Sequence, residues 1–216
     1  MKNEDKSTNW TEYYSKPKSK FSAATQKITL KKLIYYIERY AADKLDIMEL
    51  GGGNSCFAKG LLTGCSKVSI NSYSIIDSCE IAVRQFREMK LSGNAYLADL
   101  TSDTALAEIE KKFDLVYSVG LIEHFRGNDI DKIIAAHFQL CEDGGIVLIS
   151  VPTPTLQYLL IRKGMELLGA WGFPDEKALK YEDIGAAIER YGELLDTKIN
   201  RRLPLTQLMI VARKKG

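Results

Sequence analysis

Two histidines and four cysteines are all the histidine and thiol this 216-residue chain contains. Cys56, Cys65, Cys79 and Cys141 form no Cys-x-x-Cys pair and have no histidine beside them. That spacing argues against a zinc site, so no metal is expected. Reduced thiols in a cytoplasmic protein are the plain reading. No apolar run approaches the length that spans a bilayer, so no stable membrane insertion is expected. Met1 to Ser7 are polar and charged, unlike a secretory leader. No repeat, low-complexity tract or Gly-x-Ser-x-Gly elbow is present. The net charge of +2 gives no overall push toward nucleic acid, although lysines and arginines gather near both ends.

What is there suits one α/β domain. The chain is 45% apolar and 27% charged, ordinary for a globular protein with a sizeable core. It centres on Ile47-Met48-Glu49-Leu50-Gly51-Gly52-Gly53-Asn54-Ser55. An apolar strand of about 45–50 ends in an acid, then glycines, then a polar pair able to cap a helix running to about Leu62. Glycine lets the backbone approach a ligand, and a helix start offers free N–H groups. A dinucleotide fingerprint wants glycine or alanine where Cys56 stands. Glu49 would also repel a pyrophosphate, whereas it suits a ligand carrying an ammonium group. A tight turn in an ordinary βα unit remains the plain alternative.

Further strands and helices alternate along the chain. Helices are expected at about 24–43, 79–90, 102–111, 129–141 and 182–191. Strands are expected with cores at Tyr73–Ile76, Asn94–Leu97, Phe113–Ser118 and Ile146–Val151. Gly144 and Gly145 look fit to cap the helix before the last of these. A closing pair of strands is expected at about 194–201 and Leu208–Arg213, with a turn at Pro204. Residues 155–180 exceed a minimal alternating pattern and carry a leucine-rich helix followed by Trp171-Gly172-Phe173-Pro174. Near the start, Trp10, Tyr13 and Tyr14 suggest a short helix or lid that folds over something, or simple packing on the outside.

Glu-x-Gly-x-Gly after a first strand resembles motif I of the class I S-adenosylmethionine-dependent methyltransferases. Ile75-Ile76-Asp77-Ser78 resembles that family's second strand. Phe113-Asp114-Leu115-Val116, a small residue, then a turn ending in Glu123-His124 resembles its fourth. The similarity runs from about residue 45 to 214 and rests on order and spacing; the stretch from Gly53 to Asp77 is somewhat long for the family. It implies a Rossmann-like, seven-stranded, mostly parallel sheet with helices on both faces and a C-terminal antiparallel hairpin. Residues 1–44 become an N-terminal lid and helix; residues 45–216 become the methyltransferase domain, with a cap insertion at about 155–180.

The resemblance implies S-adenosyl-L-methionine as cofactor. Its expected contacts are Glu49, Gly51, Gly52, Gly53, Asn54, Asp77, Ser78, Asp99, Leu100, Ser118, Val119 and Gly120. Asp77 would hold the ribose hydroxyls, or only cap its helix; Asp99 would meet the adenine amine, or only open a turn. His124 would face the acceptor as a base or orienting group, or merely pack under the lid. His137 reads as a helix-packing residue. Ser118-Val119-Gly120-Leu121 stands where amino-methylating nucleic-acid enzymes carry an Asn-Pro-Pro-Tyr-type sequence. The expected acceptor is therefore a small molecule, such as a hydroxyl of a sugar, glycan precursor or natural product. An NAD-dependent oxidoreductase, an RNA methyltransferase, a non-catalytic binding subunit and a homodimer stay open.

Overall fold

The computed structural model describes residues 7–17, 20–202 and 206–216. The short helix α1 (Trp10–Ser15) precedes a long one, α2 (Lys20–Tyr40). Alternating elements follow: β1 (Lys44–Leu50), α3 (Ala58–Gly64), β2 (Ser69–Asp77), α4 (Glu80–Glu88), β3 (Ala95–Leu97) and β4 (Phe113–Val119). Then come α5 (Asn128–Leu140), β5 (Cys141–Pro152), α6 (Leu156–Leu167), α7 (Tyr181–Tyr191), β6 (Gly192–Asn200) and β7 (Gln207–Lys214). Expected Pro204 lies outside the described residues.

The strands make one seven-stranded sheet in the order β3-β2-β1-β4-β5-β7-β6. β1 pairs in parallel with β2 and β4, and β4 with β5. β7 runs antiparallel to both β5 and β6. This is the expected Rossmann-like class I methyltransferase fold with its closing hairpin. The order changes direction at β1 and β4, where a crevice opens beyond the strand ends.

Strand alternation divides the core into two layers. Met48, Ile76, Val116 and Ile149 pack on one face with α5 and α7. Ile47, Ile75, Leu115 and Leu148 pack on the other with α2, α3 and α4. The central strands are buried on both faces, which explains their nearly continuous apolar runs. Among the described residues no helix is long and apolar enough to cross a membrane.

Three local expectations change. Residues 102–111 form successive turns, not a helix. Ala105, Ala107 and Ile109 each bond the carbonyl three residues back. Asp99 Oδ1 accepts from both the N–H and hydroxyl of Thr101, and Ser102 Oγ accepts from Thr104 N–H. Such local partners compete with a helical ladder. Next, α3 begins at Ala58, later than expected, although Ser55 Oγ does accept from the Ala58 N–H at 3.1 Å. Finally, Gly144 and Gly145 do not cap α5; Cys141 already starts β5. They form an irregularity within β5, where Phe113 faces Cys141 yet Leu115 faces Ile146. A Cβ on Gly145 would stand 2.8 Å from Cys141 Sγ and 3.0 Å from Asp114 O, so glycine is required there.

Candidate active site

A cavity of about 480 Å³ opens at the crevice beyond β1 and β4. Glu49, Gly51, Gly52, Asn54, Asp77, Ser78, Asp99, Leu100, Val119, Gly120 and His124 all line it. Residues from four separate strand ends thus meet in one place.

The turn after β1 is shaped by close approach. Gly51 has φ +62°, and its N–H donates to Ile76 O at 2.8 Å. A Cβ there would stand 2.5 Å from Leu121 Cδ1. Gly53 has φ +53°, and a Cβ on it would collide with the Tyr14 hydroxyl. Gly53 itself does not line the cavity, because Tyr14 covers it. Its N–H instead donates to Asp77 Oδ2 at 2.8 Å, tying the turn to the end of β2.

Glu49 is buried beneath this turn. Its Oε2 accepts from Ser55 Oγ and from Tyr73 Oη, both at 2.6 Å. Tyr73 also hydrogen-bonds Tyr117. Burial pushes the Glu49 carboxyl up to about 7, against the pull of these hydroxyls. A cationic group arriving beside it would favour the carboxylate form.

Asp77 does not cap α4, whose N-cap residue is Cys79, but it braces the helix start and faces the cavity. Oδ1 accepts from Cys79 N–H at 2.8 Å, two residues on at the start of α4, while the carboxylate lines the cavity. Burial raises its pKa, and backbone donors from Cys79, Gly53 and Ser78 hold it back. Each oxygen keeps a further lone-pair direction for a ligand hydroxyl. Asp99 is exposed at the far end of the cavity.

Ser118 is corrected by the structure. It is fully buried, and its hydroxyl lies 2.9 Å from His137 Nε2. His137 Nδ1 lies 2.7 Å from the Ile133 carbonyl, which can only accept, so Nδ1 carries the proton and Nε2 accepts from Ser118. Burial lowers the His137 pKa to about 4. In β4 Ser118 alternates with Tyr117 and Val119, so it points under the sheet toward α5 and away from the cavity.

His124 stands in the one-turn helix Ile122–His124 after β4. Its Nδ1 lies 3.1 Å from Asp175 Oδ1, and Asp175 in turn accepts from the Thr8 N–H at 3.2 Å and from its hydroxyl. Burial lowers the His124 pKa, while the Asp175 carboxylate pulls it back up. A neutral ring that donates from Nδ1 to Asp175 presents the Nε2 lone pair as a base. Rings enclose it: Trp10 at 4.9 Å and Phe173 at 5.9 Å between centroids.

Several cavity residues carried no assigned role in the sequence reading. Glu123, Tyr158, Met165 and Glu176 line the same half as His124, and Thr25, Gln26, Thr29 and Gln207 line the cavity from α2 and β7. The acidic pair Asp175-Glu176 gave little sequence hint, because Arg162, Lys163, Glu166 and Lys177 make the whole stretch charged. Ligand atoms of Glu123, His124 and Glu176 lie within 4.8 Å of one another, an arrangement able to hold a cation.

A family model described as a methyltransferase domain matches residues 23–190. The chain belongs to that methyltransferase family. Magnesium protoporphyrin IX methyltransferase from Synechocystis PCC 6803, solved with bound S-adenosylhomocysteine, superposes with a TM-score of 0.70 at 14% identity, covering 95% of this chain and 93% of that one. The PH0226 protein from Pyrococcus horikoshii OT3 also gives 0.70, at 15% identity over 94% and 99%. The N-methyltransferase NodS from Bradyrhizobium japonicum WM9 gives 0.62 at 12% identity, over 92% and 89%. At such identities the likeness is one of fold. No curated protein sequence matches the chain. Family membership bears out the expected enzyme class, and with it the expected cofactor, S-adenosylmethionine.

The methyltransferase's own residues fit that cofactor. Leu121, Glu49 and Tyr14 pack against the turn so closely that only glycine fits, and the Glu49 and Asp77 carboxylates line the cavity beside it, a set able to accept from an ammonium and from hydroxyls.

Proposed function

We propose that this enzyme methylates a hydroxyl of a small molecule, such as a sugar, glycan precursor or natural product. The observation that carries the reading is the meeting of Glu49, the Gly51–Gly52 turn, Asp77 and His124 on one cavity. S-adenosylmethionine supplies an electrophilic methyl group on a sulfonium. Glu49 and the glycine turn would hold its amino-acid end, Asp77 the ribose and Asp99 with Leu100 the adenine.

The remaining half of the cavity holds the acceptor. Placing the attacking oxygen in line can contribute on the order of 7–11 kcal/mol. His124 Nε2 takes the hydroxyl proton as attack proceeds, and Asp175 holds the ring that receives it. Trp10, Tyr13 and Phe173 exclude water from a site where charge is lost. This assigns residues 1–44 a covering role and the loop around Phe173 a capping one. The solved structures named as magnesium protoporphyrin IX and NodS methyltransferases support a small acceptor by analogy of fold. Among the described residues the lining includes no lysine or arginine, which weighs against a nucleic-acid phosphate.

The test is a calorimetric titration with S-adenosylhomocysteine and, separately, with NAD. Saturable binding of the first and none of the second is expected. Heat from NAD alone would make the protein an oxidoreductase-type binder and overturn the reading.

A further inference from the structure

The two halves of the cavity differ in how their acids are satisfied. Glu49 and Asp77 have hydrogen-bond donors; Glu123 is different. It is 2% exposed, and its Oε2 finds no hydrogen-bond partner among the described residues. Its backbone carbonyl is taken by Lys177 N–H and Arg126 Nη1, both at 2.9 Å, so the turn is fixed while the carboxylate is left facing the cavity.

An unpaired buried polar group costs stability, on the order of 1–3 kcal/mol, and more for a charge. Burial, then Glu176 and Asp175, push the Glu123 carboxyl well above the usual range. The nearby Arg126 guanidinium is engaged by the backbone carbonyls of Glu123, Phe125 and Asp175 and makes no bond to the carboxylate. Glu176 accepts from the Tyr158 hydroxyl, and Arg162 Nη1 is 4.0 Å from Glu176 Oε1 while bonded to the Tyr158 hydroxyl and the Glu176 carbonyl. Among the described residues the lining holds five carboxylates and no lysine or arginine. Around this end stand ring faces, with Trp10 6.0 Å and Tyr13 5.4 Å from Phe173.

We propose that the acceptor half is a recognition site for an amine-bearing small molecule, whose ammonium group docks on Glu123 Oε2 beside Glu176, within the Trp10–Tyr13–Phe173 rings. This rests on the methyltransferase reading and narrows it. An ammonium supplies the donor that Glu123 Oε2 lacks, and aromatic rings favour an organic cation. A divalent ion suits the place less well. It would have to draw Glu176 from Tyr158 and Arg162, and rings give a hard cation no oxygen ligands.

The test compares benzylamine with benzyl alcohol, probes of nearly one size, by calorimetry on protein saturated with S-adenosylhomocysteine. Benzylamine is expected to bind at least about tenfold tighter, equivalent to about 1.4 kcal/mol. In Glu123→Gln the preference should fall to near parity, with affinity for S-adenosylhomocysteine within about twofold of the parent. Equal binding of the two probes to the parent protein overturns the proposal without any variant. So does a Glu123→Gln protein that keeps the preference, or Mg²⁺ or Mn²⁺ that binds and displaces benzylamine. Repeating the titration without S-adenosylhomocysteine separates the two readings. Amine preference with no heat from S-adenosylhomocysteine sinks the cofactor assignment alone; heat from S-adenosylhomocysteine with no amine preference sinks the recognition site alone.

Discussion

The two halves of the cavity, proposed for cofactor and acceptor, are built by different means. On the side proposed for the cofactor, the acids at the ends of β1 and β2 are held by hydroxyls and backbone N–H groups from these two neighbouring βα units: Ser55 and Tyr73 on Glu49, Gly53 and Cys79 on Asp77. On the acceptor side, contacts join distant parts of the chain. Thr8 meets Asp175, Asp175 meets His124, and Trp10 meets Phe173. A locally braced half is preorganised for one constant ligand. A half assembled from lid, turn and insertion can change its acceptor without disturbing that brace, and it leaves Glu123 unpaired until the acceptor arrives.

The sharpest way to break this contrast is to remove the base. His124→Ala is expected to lower kcat by about 10²-fold or more while affinity for S-adenosylhomocysteine holds. Unchanged turnover would reject the base. The same group sets the acid limb of the pH profile. The neutral imidazole is the active form, and burial lowers its pKa, so activity should persist as pH falls through the usual histidine range near 6.5 and fail only below it. In Asp175→Asn that limb should move down further, because the carboxylate that pulls the pKa up is gone.

Next in size is the turn. Gly51→Ala forces a Cβ onto Leu121 at positive φ, a cost of about 1–2 kcal/mol. Affinity for S-adenosylhomocysteine should fall about tenfold, with the benzylamine preference intact. Loss of that preference too would mean that the halves are not independent.

The smallest effect on ligand binding sharpens the boundary between core and cavity. Ser118→Ala leaves His137 Nε2 without its donor, which should cost about 1–3 kcal/mol in urea unfolding. Affinity for S-adenosylhomocysteine should not move. A fall in affinity would restore Ser118 to the cofactor site.

The β1 and β2 side of the cavity was legible in the sequence. Glu49, Gly51 and Asp77 sit at junctions where a period-two apolar run stops and a polar turn begins, and such breaks are local. Ser118 was misplaced for a related reason: the motif locates the strand end, but facing is set by parity, and Ser118 falls on the side of α5. The helix expected at 102–111 failed because Asp99, Thr101 and Ser102 offer the backbone closer partners than the next helical turn. The acceptor half was largely illegible. Its polar contacts span separations such as 167 residues from Thr8 to Asp175 and 51 from His124 to Asp175.

The sequence alone determined the alternation of strands and helices, the glycine turn and the acid that ends β2, because these follow from backbone preference and periodicity within a few residues. Only the tertiary structure decided which way Ser118 faces, which residues close over His124, and that Glu123 Oε2 stands buried without a donor among the described residues. Those outcomes depend on how a packed sheet brings the first helix and the loop after α6 to the same crevice, and no short-range pattern encodes a meeting of that kind.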